Sequence, residues 1–87
     1  MRPNTDVVSR KLGDRLVVVN LRTNRIYELN STASRMWELL EKGSNRTEIE
    51  ETLLDEFDVE RSVASAEIDR TLTRFSSEGL IGEREAA

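Results

Sequence analysis

The stretch that decides the fold is residues 16–30, LVVVNLRTNRIYELN. Two apolar runs, residues 16–21 and 26–29, flank a polar segment at 22–25. The apolar runs contain β-branched and aromatic residues, which suit strands. Asn24 tolerates the positive φ that a turn between two strands often requires. The stretch therefore predicts a β-hairpin whose second strand leads directly into a helix.

The second strand of this hairpin has two different faces. Side chains alternate along a strand, so Tyr27 and Leu29 share one face while Ile26 and Glu28 share the other. We assign Tyr27 and Leu29 to the core. If this strand lies at a sheet edge, its free N–H and C=O groups can pair with another chain.

The residues before the hairpin predict one more strand, over residues 6–10. Gly13 and Asp14 form a turn after it, so the three strands are expected to make an antiparallel meander. Residues 30–32 offer N-caps for a first helix, which Gly43 ends. The apolar stripe of that helix has the spacing i, i+3, i+4, i+7 and consists of Ala33, Met36, Trp37 and Leu40. We interpret Trp37 as a core anchor.

Two further helices follow. Thr47 and Glu50 match a capping box at the start of the second helix. The apolar stripe of the second helix is Ile49, Leu53, Leu54 and Phe57, and that of the third is Ala64, Ile68, Leu72 and Phe75. Gly79 ends the third helix, and Leu80 and Ile81 are expected to fold back on the core. The sequence thus predicts one α+β domain over residues 1–87, a three-stranded antiparallel sheet followed by three helices, with residues 1–5 and 82–87 loose.

Composition disfavours an enzyme. The chain has 87 residues, 37% apolar and 34% charged, with neither cysteine nor histidine. The lack of cysteine excludes disulfides and thiolate zinc sites, and the lack of histidine removes the commonest general base. The four glycines are scattered and form no phosphate-binding loop. We predict no catalytic residue, no metal site and no cofactor. No apolar run approaches a membrane span or a secretion signal, so we expect a cytoplasmic protein with no membrane partner.

The charge pattern disfavours nucleic acid as a partner. The net charge is −4, and Lys and Arg are spread thinly, whereas nucleic-acid binders carry a basic stripe. The carboxylates between residues 48 and 58 fit a solvated helix face better than an acid–base pair. Arg61, Arg70 and Arg74 fit either a patch for an acidic peptide or phosphate, or pairing within the helix, for example between Arg70 and Glu67. The third strand and third helix form the strongest candidate site. From the pattern alone it is either a groove that receives an extended peptide as a fourth strand, or a strand edge that is covered or simply solvated.

An ordered set of segments resembles the PqqD family. The set is NLRTNRIYELNSTA at 20–33, MWELLEKG at 36–43, TEIEETL at 47–53, EFDV at 56–59 and SSEGLI at 76–81. Family members are recognition elements for ribosomally made, post-translationally modified peptides. The resemblance implies a winged helix-turn-helix-like fold in which the leader of a precursor peptide pairs antiparallel with the third strand, against the third helix. The peptide-binding residues that it implies are Arg25, Ile26, Tyr27, Glu28, Leu29, Ala64, Glu67, Ile68, Thr71, Leu72 and Phe75.

The resemblance also suggests a branch of the family. The chain lacks the arginine-rich, tryptophan-containing stretch of the proteins that serve pyrroloquinoline quinone synthesis. Its compact start is similar to the stand-alone leader-binding proteins of lasso-peptide pathways, which implies a leader peptidase or another modifying enzyme as second partner. Glu67 replaces the family's usual Asp, and Thr71 replaces a bulky apolar residue.

The sequence therefore predicts a non-catalytic protein that captures a leader peptide and presents it to a modifying enzyme. Two alternatives stay open. A winged-helix DNA-binding regulator would need a basic recognition helix, but residues 47–57 contain no Lys or Arg. An interaction subunit for an enzyme without a peptide substrate is the other.

Overall fold

The computed structural model describes residues 1–82. In chain order its elements are β1 (Arg2–Pro3), β2 (Val7–Leu12), β3 (Arg15–Asn20), β4 (Arg25–Leu29), α1 (Ser31–Glu41), α2 (Arg46–Glu56), α3 (Arg61–Ser77) and β5 (Ile81–Gly82). The predicted α+β class, with a three-stranded antiparallel sheet followed by three helices, is confirmed. Predicted and observed element boundaries mostly differ by one or two residues.

The main sheet has the order β2-β3-β4, and both pairings are antiparallel. Val18 in the central strand lies opposite Ser9 on one side and Tyr27 on the other. Asn24 adopts the positive φ predicted for the β3–β4 turn, at 63°. Because β4 is the last strand in this order, one of its sides has no neighbouring strand among residues 1–82.

The helices cover one face of the sheet. Tyr27 and Leu29 are buried on that face, as predicted, whereas Ile26 remains 69% exposed on the other. Trp37 of α1 is fully buried, and its ring meets Phe75 of α3 edge-on at 5.4 Å between centroids. This contact joins the first and third helices through the core and confirms Trp37 as a core anchor.

Gly43 and Gly79 end α1 and α3 with positive φ angles of 89° and 74°. After α3, the Leu80 N–H donates to the Phe75 carbonyl at 2.8 Å and the Gly79 N–H to Ser76 at 3.1 Å, which is the Schellman arrangement. Leu80 and Ile81 are buried, so the chain folds back on the core as predicted. Within residues 1–82, no helix combines the length and apolarity that crossing a membrane requires.

The predicted capping box of α2 was wrong by two residues. Asn45, not Thr47, is the N-cap: its side chain accepts from the Glu48 N–H at 2.8 Å, and the Glu48 side chain accepts from the Asn45 N–H at 2.9 Å. Asn-x-x-Glu satisfies the same two orphan donors as Thr-x-x-Glu. The helix therefore begins at Arg46, before the predicted cap.

The N-terminus is also more ordered than predicted. Arg2–Pro3 pairs antiparallel with Ile81–Gly82, where we expected residues 1–5 and Gly82 to be loose. Asn4 extends this pairing, since its backbone N–H donates to Leu80 at 3.0 Å and its side-chain amide donates to the Gly79 carbonyl at 2.8 Å. The rest of the predicted loose end, residues 83–87, lies outside the described residues.

We predict that Asn4→Ala lowers the free energy of unfolding by about 1 kcal/mol, because the Gly79 carbonyl loses its side-chain donor. Urea denaturation followed by tryptophan fluorescence measures this change. The control is Thr5→Ala, because Thr5 is an exposed neighbour in the same segment. Equal stability of the two variants would contradict a structural role for the N-terminal pairing.

Candidate functional site: an open strand edge beside the third helix

A hydroxyl bridge between β3 and β4 shows which backbone groups of β4 face β3 and which face the open edge. The Ser34 hydroxyl accepts from the Leu16 N–H at 2.9 Å and donates to the Leu29 carbonyl at 3.2 Å. Leu16 lies opposite Leu29, so the polar backbone groups of Leu29 face β3. In an antiparallel pair, consecutive residues turn these groups to opposite sides. Ile26 and Glu28 therefore direct their N–H and C=O groups to the open edge.

A hollow of about 310 Å³ lies between the end of β4 and the flank of α3. Its walls come from β3, β4, α1 and α3, and are formed by Arg15, Glu28, Leu29, Asn30, Ala33, Glu67, Arg70, Thr71, Arg74 and Phe75. Backbone groups of the open edge and side chains of α3 thus border the same space. An extended chain on the edge would find side-chain partners there.

A smaller and more apolar hollow, about 170 Å³, lies farther toward the start of α3. It is lined by Thr32, Leu53, Phe57, Val59, Val63, Ala64 and Glu67. Glu67 borders both hollows, so together they follow α3 from Phe75, near its C-terminal end, to its first turn. Apolar lining suits an apolar side chain of a guest that extends past the end of β4.

In the middle of β4, Tyr27 links the strand to the C-terminal end of α3. Its hydroxyl donates to Glu78 Oε1 at 2.8 Å, just after the last turn of the helix. Burial of the ring raises the pKa of the Tyr27 phenol, and the hydrogen bond and negative charge of Glu78 raise it further, while Arg25 acts in the opposite direction. The α3 helix therefore runs past the open edge with its C-terminal end held at Tyr27.

The structure brings most of the predicted binding residues to this edge. Glu28, Leu29, Glu67, Thr71 and Phe75 line the larger hollow, and Ala64 lines the smaller one. Arg25, Ile26 and Tyr27 belong to β4 itself. The strand and the helix named from the sequence are therefore neighbours.

Two predicted pocket residues lie elsewhere. Ile68 is 0% exposed and belongs to the core, so it does not line a surface pocket. Leu72 borders a different depression, on the flank of α3 that lies next to Met1 and Ile81. The stripe that predicts the helix also supplies its core contacts, so its members cannot all face a groove.

Sequence reasoning did not assign Arg15, Asn30, Ala33 and Ser34 to the site. Arg15 is the first residue of β3, Asn30 is the N-cap of α1, and Ala33 and Ser34 lie in the first turn of that helix. The sequence offered Arg70 and Arg74 either as a separate patch or as partners within the helix, yet both border the larger hollow. The signal available for these two was their i, i+4 spacing on the predicted third helix.

The comparison with family profiles decides the family. The profile described as Coenzyme PQQ synthesis protein D (PqqD) matches residues 15–81, which is more than half of the chain. The chain belongs to the PqqD family. The PqqD match includes β3, β4, all three helices and both hollows, so the resemblance to this family is confirmed.

Two solved structures share the PqqD fold of this chain. One is titled "TbiB1 in Complex with the TbiA(beta) Leader Peptide", with TM-score 0.89, 29% identity, and coverage of 98% of this chain and 100% of that chain. The other, "Lasso peptide synthetase B1 complexed with the leader peptide", has TM-score 0.83, 23% identity, and coverage of 91% and 93%. No curated protein sequence matches this PqqD-family chain.

We predict that Tyr27, the only tyrosine, titrates above the usual pKa of about 10 for a phenol. Glu78→Gln should move the midpoint toward lower pH, because it removes the negative charge that disfavours the phenolate. Near-ultraviolet absorbance against pH measures both midpoints. Because the pKa is raised by folding, this group weakens the fold only as pH rises through its titration.

The matched control for this titration is Glu28→Gln, which removes a carboxylate on the other face of β4. Its midpoint should equal that of the wild type. A Glu78→Gln midpoint that does not move would contradict the contact between Tyr27 and Glu78.

Proposed function

We propose that this protein captures the leader peptide of a ribosomally made, modified peptide precursor, in a lasso-peptide pathway, by adding it as a fourth strand to β4. It then presents the precursor to a leader peptidase or another modifying enzyme and itself acts without catalysis. The observation that carries the proposal is the pair of outward backbone groups at Ile26 and Glu28 beside the hollow of α3. Both structural neighbours are complexes with a leader peptide, which supports the proposal.

Strand addition gives affinity without demanding much of the peptide sequence. Each outward N–H and C=O on β4 can exchange a hydrogen bond with the guest, whatever its side chains. The guest loses conformational freedom when it orders, which offsets part of this gain. The hollows along α3 contribute the remaining affinity through side-chain contacts.

Capture assists modification through effective concentration. A precursor held by its leader keeps its downstream segment tethered near any enzyme that binds the same complex. The orientation follows from the antiparallel pairing. The N-terminal part of the leader lies toward Leu29 and the apolar hollow, and its C-terminal part leaves near Arg25.

We predict that Ile26→Pro weakens leader binding by about tenfold or more, because proline removes an outward N–H and leaves a guest carbonyl unpaired. The neighbourhood of this gene is first searched for a short precursor gene, and the leader that it encodes is synthesised with a fluorescein label as the probe. Fluorescence polarisation gives the dissociation constants.

The matched control is Lys11→Pro, which removes an outward N–H from β2, the opposite edge of the sheet. This variant should bind within about twofold of the wild type, a difference below 0.5 kcal/mol. Circular dichroism verifies that both variants keep the fold. Equal loss in both variants, or in neither, would refute strand addition at β4.

A further inference from the structure

The larger hollow is more basic than the rest of the molecule. The whole chain has a net charge of −4. The lining of this hollow nevertheless includes three arginines, Arg15, Arg70 and Arg74, against two glutamates, Glu28 and Glu67. The charge of this hollow is therefore opposite in sign to that of the protein.

Pairing inside the hollow makes the contrast sharper. Glu67 is already in an ion pair with Arg70, three residues away on α3. Arg74 and Arg15 form no ion pair with any other residue in the described part, 1–82. Two guanidinium groups thus face the hollow with Glu28 as the one carboxylate there that lacks an ion pair within that same part of the chain.

The register of an added strand brings one guest side chain to these arginines. Residues directly opposite in an antiparallel pair have side chains on the same face. Leu29 points to the helix side of the sheet, so the guest residue opposite Leu29 also points toward α3. Since the backbone groups of Leu29 face β3, this position is a non-hydrogen-bonded pair, in which side chains approach most closely.

Building on the proposed function, we infer that the leader carries an aspartate or glutamate at the position opposite Leu29, held by Arg74 in the hollow of α3. The guanidinium can donate two parallel hydrogen bonds to a carboxylate. The buried Thr71, one turn before Arg74, borders the same space. Its hydroxyl can donate a further hydrogen bond, whereas an apolar residue there would leave the carboxylate without this partner.

The test is selection of a phage-displayed random linear peptide library on three proteins: wild type, Arg74→Glu and Arg10→Glu. Arg10 is the matched control, because it is an exposed arginine on β2. Wild type and Arg10→Glu should enrich peptides with Asp or Glu at one position. Arg74→Glu should enrich Lys or Arg at that position instead.

A synthetic peptide from the wild-type selection then quantifies the preference. Replacing its acidic residue by Lys should weaken binding to wild type by about tenfold and strengthen binding to Arg74→Glu, as a charge reversal demands. The same preference should shrink as salt is raised.

Failure of this inference is distinguishable from failure of the proposed function. If the selected peptides lose binding to Ile26→Pro but show no charge preference that follows Arg74, the leader site stands and the acidic residue does not. If Ile26→Pro binds them as wild type does, or no peptide is enriched, the edge site itself is refuted and the inference falls with it.

Discussion

Strand alternation in β4 is the constraint on which the rest of the structure depends. The side chains of its five residues alternate between the core and the solvent. Their backbone N–H and C=O groups alternate between β3 and the open edge. Leu29 uses its side chain for the core and its backbone for the Ser34 bridge. Ile26 uses neither, since its side chain is exposed and its backbone faces outward. A shift of one residue would bury Ile26 and turn Tyr27 into the solvent.

A peptide on the open edge can make side-chain contacts only if another element lies beside that edge. The α3 helix lies there and contacts several other elements. Phe75 packs on Trp37 in the core, and the Glu78 carboxylate accepts from Tyr27 in the middle of β4. The Asn20 amide donates to the Glu78 carbonyl at 3.3 Å, which joins β3 to the same helix end. These contacts join α3 to α1, β3 and β4, and they place its flank beside the open edge.

Local chemistry accounts for the parts of the fold and site that the sequence predicted. The alternation of side chains along β4 predicted that Tyr27 and Leu29 face the core. The glycine at position 79 predicted where α3 ends. The errors came from choices that depend on distant partners. Pairing of Arg2–Pro3 with Ile81–Gly82 joins opposite ends of the chain, and two-residue strands have no periodicity to read. The flank occupied by Leu72 depended on that same N-terminal segment, because Met1 and Ile81 pack beside it. The single-domain boundaries over residues 1–87 and the full set of binding residues stay predictions.

Backbone pairing has a consequence for selectivity. Hydrogen bonds to Ile26 and Glu28 are available to any extended peptide, so they give affinity for right and wrong guests alike. Discrimination is a difference between affinities, and a guest with the wrong charge is rejected by repulsion or by an unpaired buried group. A shallow apolar hollow separates side chains that differ by a methylene only weakly, whereas an unpaired arginine separates acids from bases strongly. Arg74 lies on the flank of α3, beside the guest position whose side chain points toward that helix. Its charge therefore selects among guest peptides at that one position of the added strand.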